Sequence, residues 1–177
     1  DDYRNADAKV DAFVSVGMLE HVGTDHYREL GAVVHRCLKP DGLGLIHSIG
    51  RNREMALDPW ISQRIFPGAY PPSLREMMRI FEPFDFSVLD VENLRLHYAR
   101  TCRALLSNFE SHRERVERMF DSAFVRAWRL YLAGSVAAFT TGTLQLFQVV
   151  FAHRDNNMVP MTREHIYHPS DEAVSHA

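Results

Sequence analysis

Two short apolar segments on either side of a helical pattern constrain the fold of this chain more than any other feature. Val10 to Met18 is apolar and rich in valine, which predicts a buried strand, and Leu43 to Ile46 predicts a second one. Between them, apolar side chains at helical spacing predict a helix that Thr24 or Asp25 caps, followed by a Pro-Gly turn at 39–42. The apolar positions of this helix are Tyr27, Leu30, Val33, Val34, Cys37 and Leu38. A strand–helix–strand unit favours a parallel α/β class.

The rest of the chain continues with helices and strands. A long apolar loop from Arg51 to Tyr70 precedes a helix that Ser73 caps and Pro83 ends. Further elements are predicted at Phe84–Val91 (strand), Tyr98–Phe120 (helix), Ser122–Phe139 (helix) and Thr143–Phe151 (strand). The first two strands are apolar on both sides, so we expect them to have neighbours on each side in a larger sheet. We predict an α/β domain over residues 1–153 and a polar C-terminal tail over 154–177.

The composition narrows the classes of partner. The chain is 46% hydrophobic with a net charge of −3, which predicts a globular domain with no overall attraction to nucleic acid. No apolar run approaches the ~20 residues that cross a bilayer. The two cysteines, Cys37 and Cys102, suit a reducing cytoplasm. His21 and His26 lack a matching pair at ligand spacing, so no metal site is predicted. The sequence leaves open whether the protein is a monomer or a homodimer.

Candidate functional residues follow each of the first two strands. Gly17, Glu20 and His21 lie where the first strand ends, and His47 lies at the end of the second. Ligands of open α/β sheets bind outside the carboxyl ends of the strands, so Glu20 and His47 could share one site. The alternatives are a loop carboxylate beside a helix and a core histidine that bonds a carbonyl.

The long helix carries a basic face. Its arginines are Arg113, Arg115 and Arg118, continued by Arg126 and Arg129. Interleaved Glu114 and Glu117 predict ion pairs three or four residues apart. A solvated surface is the simpler interpretation of this face, and docking to a membrane is the alternative.

Four further segments follow one another along the chain: VSVGMLEHVG (14–23), CLKPDGLGLIHSIG (37–50), DPWISQRIFPGAYPPS (58–73) and LQLFQVVF (144–151). In this order they resemble the motifs of the cyclopropane-fatty-acid synthase and mycolic acid methyltransferase family. The combination is specific and covers most of the chain. The resemblance implies the C-terminal part of a Rossmann-like S-adenosylmethionine-dependent methyltransferase fold with helical lipid-binding insertions.

The resemblance also implies an activity and a site. The implied reaction transfers the methyl of S-adenosylmethionine to a cis double bond of an unsaturated phospholipid acyl chain, giving a cyclopropane ring through a carbocation that bound bicarbonate deprotonates. The implied bicarbonate site consists of Glu20, His47, the backbone of Ile49, and Tyr98, of which Glu20, His47 and Tyr98 are catalytic. The implied substrate-binding residues are Trp60, Ile65, Phe66 and Tyr70. The implied cofactor-binding residues are Gly17 and Met18.

The chain departs from the family pattern in three places. The glycine-rich cofactor loop and the upstream cysteine of the bicarbonate site are absent, and Leu105 stands where the family has a tryptophan. We therefore expect this chain alone to be inactive. The resemblance implies a cytoplasmic enzyme that contacts the membrane peripherally. Alternatives are a related methyltransferase with another acceptor, giving a methyl-branched lipid or a methylated small-molecule amine, and a non-catalytic lipid-binding subunit.

Overall fold

The computed structural model describes residues 2–167, which form a four-stranded mixed sheet with helices against it. The strands are β1 (Val10–Val16), β2 (Leu38–Gly50), β3 (Phe86–Asn93) and β4 (Gln145–His153). The longer helices are α2 (Tyr27–Cys37), α4 (Leu74–Phe81), α5 (Arg95–Ser111) and α7 (Ser122–Thr141). The shorter helices are α1 (Leu19–Val22), α3 (Pro59–Arg64), α6 (Arg113–Met119) and α8 (Glu164–Tyr167).

The strand order is β1-β2-β4-β3, and only one of the three pairings is parallel. Strand β1 pairs parallel with β2, as the strand–helix–strand pattern predicts. Strand β4 lies antiparallel between β2 and β3, because the chain returns to the sheet after the helices that follow β3. The predicted α/β class is confirmed, as a mixed sheet.

The main core lies between the sheet and helices α2 and α4. Its fully buried side chains include Tyr27, Leu30, Val34, Ile46, Met77, Ile80, Phe81, Val149 and Phe151. The predicted apolar face of α2 is buried throughout. Gly44 is required here, because a Cβ at this position would lie 2.1 Å from the ring of Phe151.

Three local predictions are wrong. The predicted turn at 39–42 is a bulge inside β2, since Val10 pairs with Leu38 and Ala12 already pairs with Leu43. Helix α2 has His26 as its N-cap with no capping side chain, because Thr24–His26 forms a separate 3-10 turn before it.

The third correction concerns the predicted single helix at Tyr98–Phe120, which is two helices. Helix α5 ends where Ser111 Oγ bonds the carbonyls of Ser107 and Asn108 and His112 Nδ1 bonds that of Asn108. These side chains occupy the last free carbonyls, so α6 starts anew after His112.

Strand β1 is less buried than its composition predicts. It is at the end of the sheet and pairs only with β2, and Val14 and Val16 are 66% and 65% exposed. A second neighbour for β1 in a larger sheet therefore stays a prediction. The other strand, β2, has a neighbour on each side, β1 and β4, and its Ile46 is fully buried.

Helices α5 and α7 form an antiparallel pair at one end of the sheet. Arg95 Nη1 donates to the carbonyls of Phe139 and Thr140, and Arg129 pairs with Glu110 at 2.7 Å. Asp121 caps α7 by accepting from the N–H of Phe124. The residues after β4 also bond to the sheet, since Arg163 pairs with Asp90 at 2.8 Å.

Candidate functional site

Glu20 lies at the carboxyl end of β1, where the chain turns sharply into α1. Gly17 has a φ of +65°, a conformation that L side chains adopt only at a cost. Its N–H donates to the carbonyl of His47 at 2.9 Å, which ties the end of β1 to β2. The turn carries Glu20 inward, so that this residue is only 6% exposed.

The two carboxylate oxygens of Glu20 are in different environments. Oε1 accepts a hydrogen bond of 2.5 Å from the backbone N–H of Ile49. Oε2 is buried and has no hydrogen-bond partner among the described residues. A buried carboxylate oxygen without a donor is costly, so this position favours a ligand that carries a donating hydroxyl.

Tyr98 of α5 packs in the same cluster as Ile49. Its ring contacts that of Phe139 edge-on, with centroids 4.9 Å apart. Burial, the neighbouring Cys102 and the charge of Glu20 raise the pKa of Tyr98 above its ordinary value. The hydroxyl therefore stays protonated at neutral pH and can donate a hydrogen bond.

His47 lies two residues before Ile49 on β2, so the two side chains lie on the same side of the sheet. It is half-buried and is flanked by Val16 of β1 and Gln148 of β4. Its imidazole has no hydrogen bond within residues 2–167, so the alternative of a core histidine that bonds a carbonyl does not describe it there.

The arrangement fits bicarbonate in part. Glu20 Oε2 could accept from the bicarbonate hydroxyl, while Tyr98 and His47 are available as donors. The N–H of Ile49 is already donated to Glu20 Oε1. In this arrangement Ile49 holds the carboxylate of Glu20, rather than offering a free donor.

The C-terminal end of the apolar loop, at Tyr70, is hydrogen-bonded to the site. The N–H of Tyr70 donates to the carbonyl of Glu20 at 2.7 Å, and the Tyr70 hydroxyl donates to Glu76 Oε1 at 2.9 Å. Glu76 also forms the capping box of α4 with Ser73, as Ser73 capping predicts. Tyr70 thus links Glu20 to the start of α4.

The start of the loop is fixed by Arg51, which is buried. Its Nη1 donates to the carbonyls of Met55 and Ala56, both at 2.6 Å. Within the loop, Asp58 caps α3 by accepting from the N–H groups of Trp60 and Ile61.

A cleft of about 340 Å³ opens between this loop and α7. Its lining residues are Trp60, Arg64, Ile65, Phe124, Ala127 and Trp128. Two of the four predicted substrate-binding residues, Trp60 and Ile65, therefore line it. Phe66 lies next to it, with its ring 5.6 Å from that of Tyr131 and 6.1 Å from that of His21, which follows Glu20. Tyr70 is not among the lining residues.

Helix α7 supplies the side of the cleft that sequence reasoning missed. Phe124, Trp128 and Tyr131 follow the i, i+4, i+7 spacing that aligns side chains on one helix face. The ring of Trp128 lies 5.8 Å from that of Phe124 and 5.1 Å from that of Tyr131. This spacing is visible in the sequence. Without the fold, however, it does not distinguish a face that lines a cleft from a face that packs into the core.

The predicted cofactor contacts lie beside Glu20. Gly17 is exposed, and no atom lies within 4 Å of where its Cβ would be, so backbone is accessible there. Met18 is half-buried and packs against the main core. The carboxyl end of β1 is where an open α/β sheet binds nucleotide-like ligands.

Known proteins share these motifs and this fold. The model of the mycolic acid cyclopropane synthetase family matches residues 1–149. The cyclopropane-fatty-acyl-phospholipid synthase of Escherichia coli K12 is 36% identical over 163 residues, covering 92% of this chain and 42% of that protein. The tuberculostearic acid methyltransferase UfaA1 of Mycobacterium tuberculosis is 34% identical, covering 83% of this chain and 36% of that protein. The structure of the mycolic acid cyclopropane synthase CmaA1 complexed with SAH and CTAB has a TM-score of 0.77 at 25% identity, covering 84% of this chain and 57% of that one.

These likenesses place the chain in a class and a family. Its sheet and helices have the Rossmann-like fold of S-adenosylmethionine-dependent methyltransferases. The chain belongs to the mycolic acid cyclopropane synthetase family. It spans less than half of the length of the two curated relatives described above.

Proposed function

We propose that the protein containing this chain is an S-adenosylmethionine-dependent methyltransferase that forms cyclopropane rings on unsaturated phospholipid acyl chains. This chain supplies the bicarbonate-site groups and part of the acyl pocket. Two observations carry the proposal: the buried Oε2 of Glu20, which has no hydrogen-bond partner among residues 2–167, and the apolar cleft between the loop and α7.

The chemistry divides between the bound groups and this chain. When bound, S-adenosylmethionine supplies the methyl group that adds to the cis double bond, and bicarbonate supplies the base that removes a proton from the resulting carbocation. Glu20 Oε2 would accept a hydrogen bond from the bicarbonate hydroxyl, and the negative charge of the carboxylate would stabilise a cation nearby. Tyr98 and His47 donate hydrogen bonds to the anion, and Ile49 keeps the Glu20 carboxylate in place.

The cleft between the loop and α7 excludes water from the acyl chain. The rings of Trp60, Phe124 and Trp128 present apolar surface there. Gly17 and Met18 contact the cofactor at the end of β1. We expect a cytoplasmic protein that associates with the membrane surface, where its lipid substrate lies.

A second candidate is a methyltransferase with a different outcome. It is favoured by UfaA1, a relative whose name specifies a methyltransferase and no cyclopropane synthase. The same methyl transfer then ends when the carbocation loses a proton from a neighbouring chain carbon instead of from the new methyl group. This step gives a methyl-branched unsaturated lipid, and the site residues keep their roles.

Lipid analysis of cells that express the complete gene tests the proposal. Phospholipid acyl chains should gain one CH₂ and lose the alkene, and proton NMR should show ring methylene protons. A methyl branch in their place would support the second candidate. Unchanged lipids in cells that contain folded protein would contradict both and favour a lipid-binding subunit.

A further inference from the structure

The connection between α6 and α7 carries exposed arginines and exposed apolar side chains. Arg115, Arg118, Met119 and Phe120 make up this surface, which we call the α6–α7 corner. Met119 is 63% exposed and Phe120 is 59% exposed. Two large apolar side chains exposed next to one another at a helix end are unusual on a surface that faces only water.

The packing of α6 turns this corner outward. Val116 packs into the cluster that Phe109, Val125 and Leu132 form between α5 and α7. On the helix, Arg118 lies on the side away from Val116, Arg115 lies between that side and Val116, and Met119 follows Val116 by three residues and lies beside it. Met119 is nevertheless 63% exposed, because it is at the last position of α6. The predicted ion pairs do not form, since no salt bridge within residues 2–167 involves Glu114 or Glu117, and none involves Arg115 or Arg118. Their guanidinium groups are therefore available to bind anions.

The charge of the chain is segregated toward these helices. Residues 95–130 contain eight arginines and four carboxylates, whereas the rest of the chain contains twelve basic and nineteen acidic residues. The helical layer therefore has a net charge of +4 in a chain of net charge −3. An anionic surface would orient the molecule with this layer toward it.

A row of aromatic rings leads inward from the corner. Phe120 stacks on Phe124 at 4.2 Å, and Phe124 stacks on Trp128 at 5.8 Å. Trp128 contacts Tyr131 at 5.1 Å, and Tyr131 contacts Phe66 at 5.6 Å. Phe124 and Trp128 also line the 340 Å³ cleft. The exposed tip and the cleft are thus joined by one continuous apolar surface.

We propose that the α6–α7 corner inserts into the interface of an anionic phospholipid bilayer, and that the aromatic row behind it leads an acyl chain into the cleft. Met119 and Phe120 enter the acyl boundary, while Arg115 and Arg118 bind lipid phosphates at headgroup depth. The bilayer-binding part of this proposal is argued from the exposure of the corner residues and from the charge of the helical layer. The entry of a substrate chain rests on the proposed function.

The contact is peripheral. No helix within the described residues is long and apolar enough to cross a bilayer. A short apolar tip flanked by arginines matches a bilayer better than a protein partner, because phosphates lie in a plane above the apolar layer and fit both groups together.

Vesicle binding by the protein expressed from its complete gene tests the docking surface, without cofactor. Vesicles of phosphatidylglycerol and phosphatidylcholine are compared with pure phosphatidylcholine by co-sedimentation. Met119→Ser with Phe120→Ser should weaken binding to the anionic vesicles at least about tenfold. Arg115→Gln and Arg118→Gln should each weaken it roughly fivefold, and pure phosphatidylcholine should bind poorly throughout.

Two matched controls are available. Leu96→Ser removes an apolar side chain with the same 59% exposure as Phe120, at the opposite end of the α5–α7 pair. Arg75→Gln removes an exposed arginine on α4. Neither should change vesicle binding by more than about twofold. If the control variants lose as much vesicle binding as the corner variants, or if the corner variants bind as the parent does, the proposed docking surface is wrong.

Kinetics separate this proposal from the proposed function. With active protein, the Met119→Ser, Phe120→Ser double variant should raise KM for vesicle phospholipid and leave kcat on detergent-dispersed phospholipid unchanged. Loss of kcat on both substrates would overturn the entry role.

If the parent protein adds no carbon to lipids but binds vesicles through the corner, the proposed function fails and the docking surface stands. A dimer that the double variant dissociates, with vesicle binding intact, would assign the corner to a second copy and overturn the proposal.

Discussion

The backbone N–H of Ile49 donates a hydrogen bond of 2.5 Å to Oε1 of Glu20, across 29 residues of sequence. This bond fixes a buried carboxylate between the ends of β1 and β2 and leaves its other oxygen unpaired within residues 2–167. A second tie holds the same residue from its backbone, because the N–H of Tyr70 donates to the carbonyl of Glu20. Glu20 is thus positioned before any ligand arrives.

Glu20→Gln should impair the chemical step and leave the fold intact. The amide oxygen can replace Oε1 as acceptor from Ile49, but the amide nitrogen then replaces Oε2, and a donor faces the bicarbonate hydroxyl. We expect a loss of ~10²–10⁴-fold in kcat, the range for a positioned acid–base group. Steady-state rates at saturating bicarbonate measure the loss in kcat, and calorimetry measures cofactor binding. Glu29→Gln, on an exposed side chain, is the control, and a Glu20→Gln rate within a few-fold of the parent would make Glu20 structural.

Tyr98 and His47 should bind the same anion. The rate losses caused by substituting each of them should therefore not be additive. Tyr98→Phe keeps the ring against Phe139 and removes only the donor. His47→Ala should then cost less in the Tyr98→Phe protein than in the parent, because the anion is already held weakly. The measurement is a double-mutant cycle on the rate with and without added bicarbonate. Additive effects, or a parent rate independent of bicarbonate, would mean that the two residues share no ligand.

Tyr27→Phe should not destabilise the protein at neutral pH. The hydroxyl of Tyr27 is fully buried and has no hydrogen-bond partner among residues 2–167, so its removal should stabilise the fold by about 1 kcal/mol. Burial, with the charges of Glu76 and Glu20, also raises the pKa of Tyr27. Because this pKa is raised mainly by burial, it adds no stability at neutral pH; it lowers the stability progressively as pH rises from the unfolded value of about 10 toward the higher folded value.

The stability of the parent should therefore fall above pH ~10, and that of Tyr27→Phe should fall less steeply. Urea unfolding between neutral and alkaline pH measures both effects. Tyr27→Leu is the control for the ring, since it loses packing and should be destabilised at every pH. Identical alkaline slopes for Tyr27→Phe and the parent would contradict the assignment.

Gly44→Ala and Gly134→Ala should have opposite effects on stability. A Cβ at Gly44 would lie 2.1 Å from the ring of Phe151, so the core must shift, at a cost of ~1–3 kcal/mol or more. No atom lies within 4 Å of a Cβ at Gly134, which is inside α7, and alanine should stabilise that helix by roughly 0.5–1 kcal/mol. Thermal unfolding of both variants measures the difference. A neutral Gly44→Ala would show that the ring of Phe151 does not lie over β2.

The sequence predicted the elements well where the pattern was local. The face of α2, the Ser73 cap and the placing of Glu20 at the end of β1 all follow from spacing and residue type. Features set by tertiary contacts were missed. The bulge in β2 depends on pairing with β1, and the break at His112 depends on side chains that compete for the last carbonyls of α5.

In the candidate site, too, local patterns were predicted and tertiary contacts were not. A motif identified Glu20, but the bond from Ile49 that holds it depends on how two strand ends meet. The aromatic face of α7 is visible in the sequence as a stripe, yet only the fold shows that it opposes Trp60 and Ile65 rather than the core.

The last prediction concerns the length of acyl chain that the cleft accepts. Ala127 is the smallest residue that lines the cleft, and it lies on α7 between Phe124 and Trp128. Ala127→Leu places three more carbons in a space of about 340 Å³, so it should shorten the room for an acyl chain. We expect a KM several-fold higher for long-chain phospholipids and a smaller change for short-chain ones, because only the long chains reach the filled part. The measurement is the ratio of kcat/KM between two chain lengths in detergent-dispersed form, which removes any effect of bilayer binding. Ala133→Leu adds the same side chain at an exposed position of α7 outside the cleft, and should leave that ratio unchanged. If both variants give the ratio of the parent, the acyl chain lies elsewhere and Trp60 and Ile65 are structural.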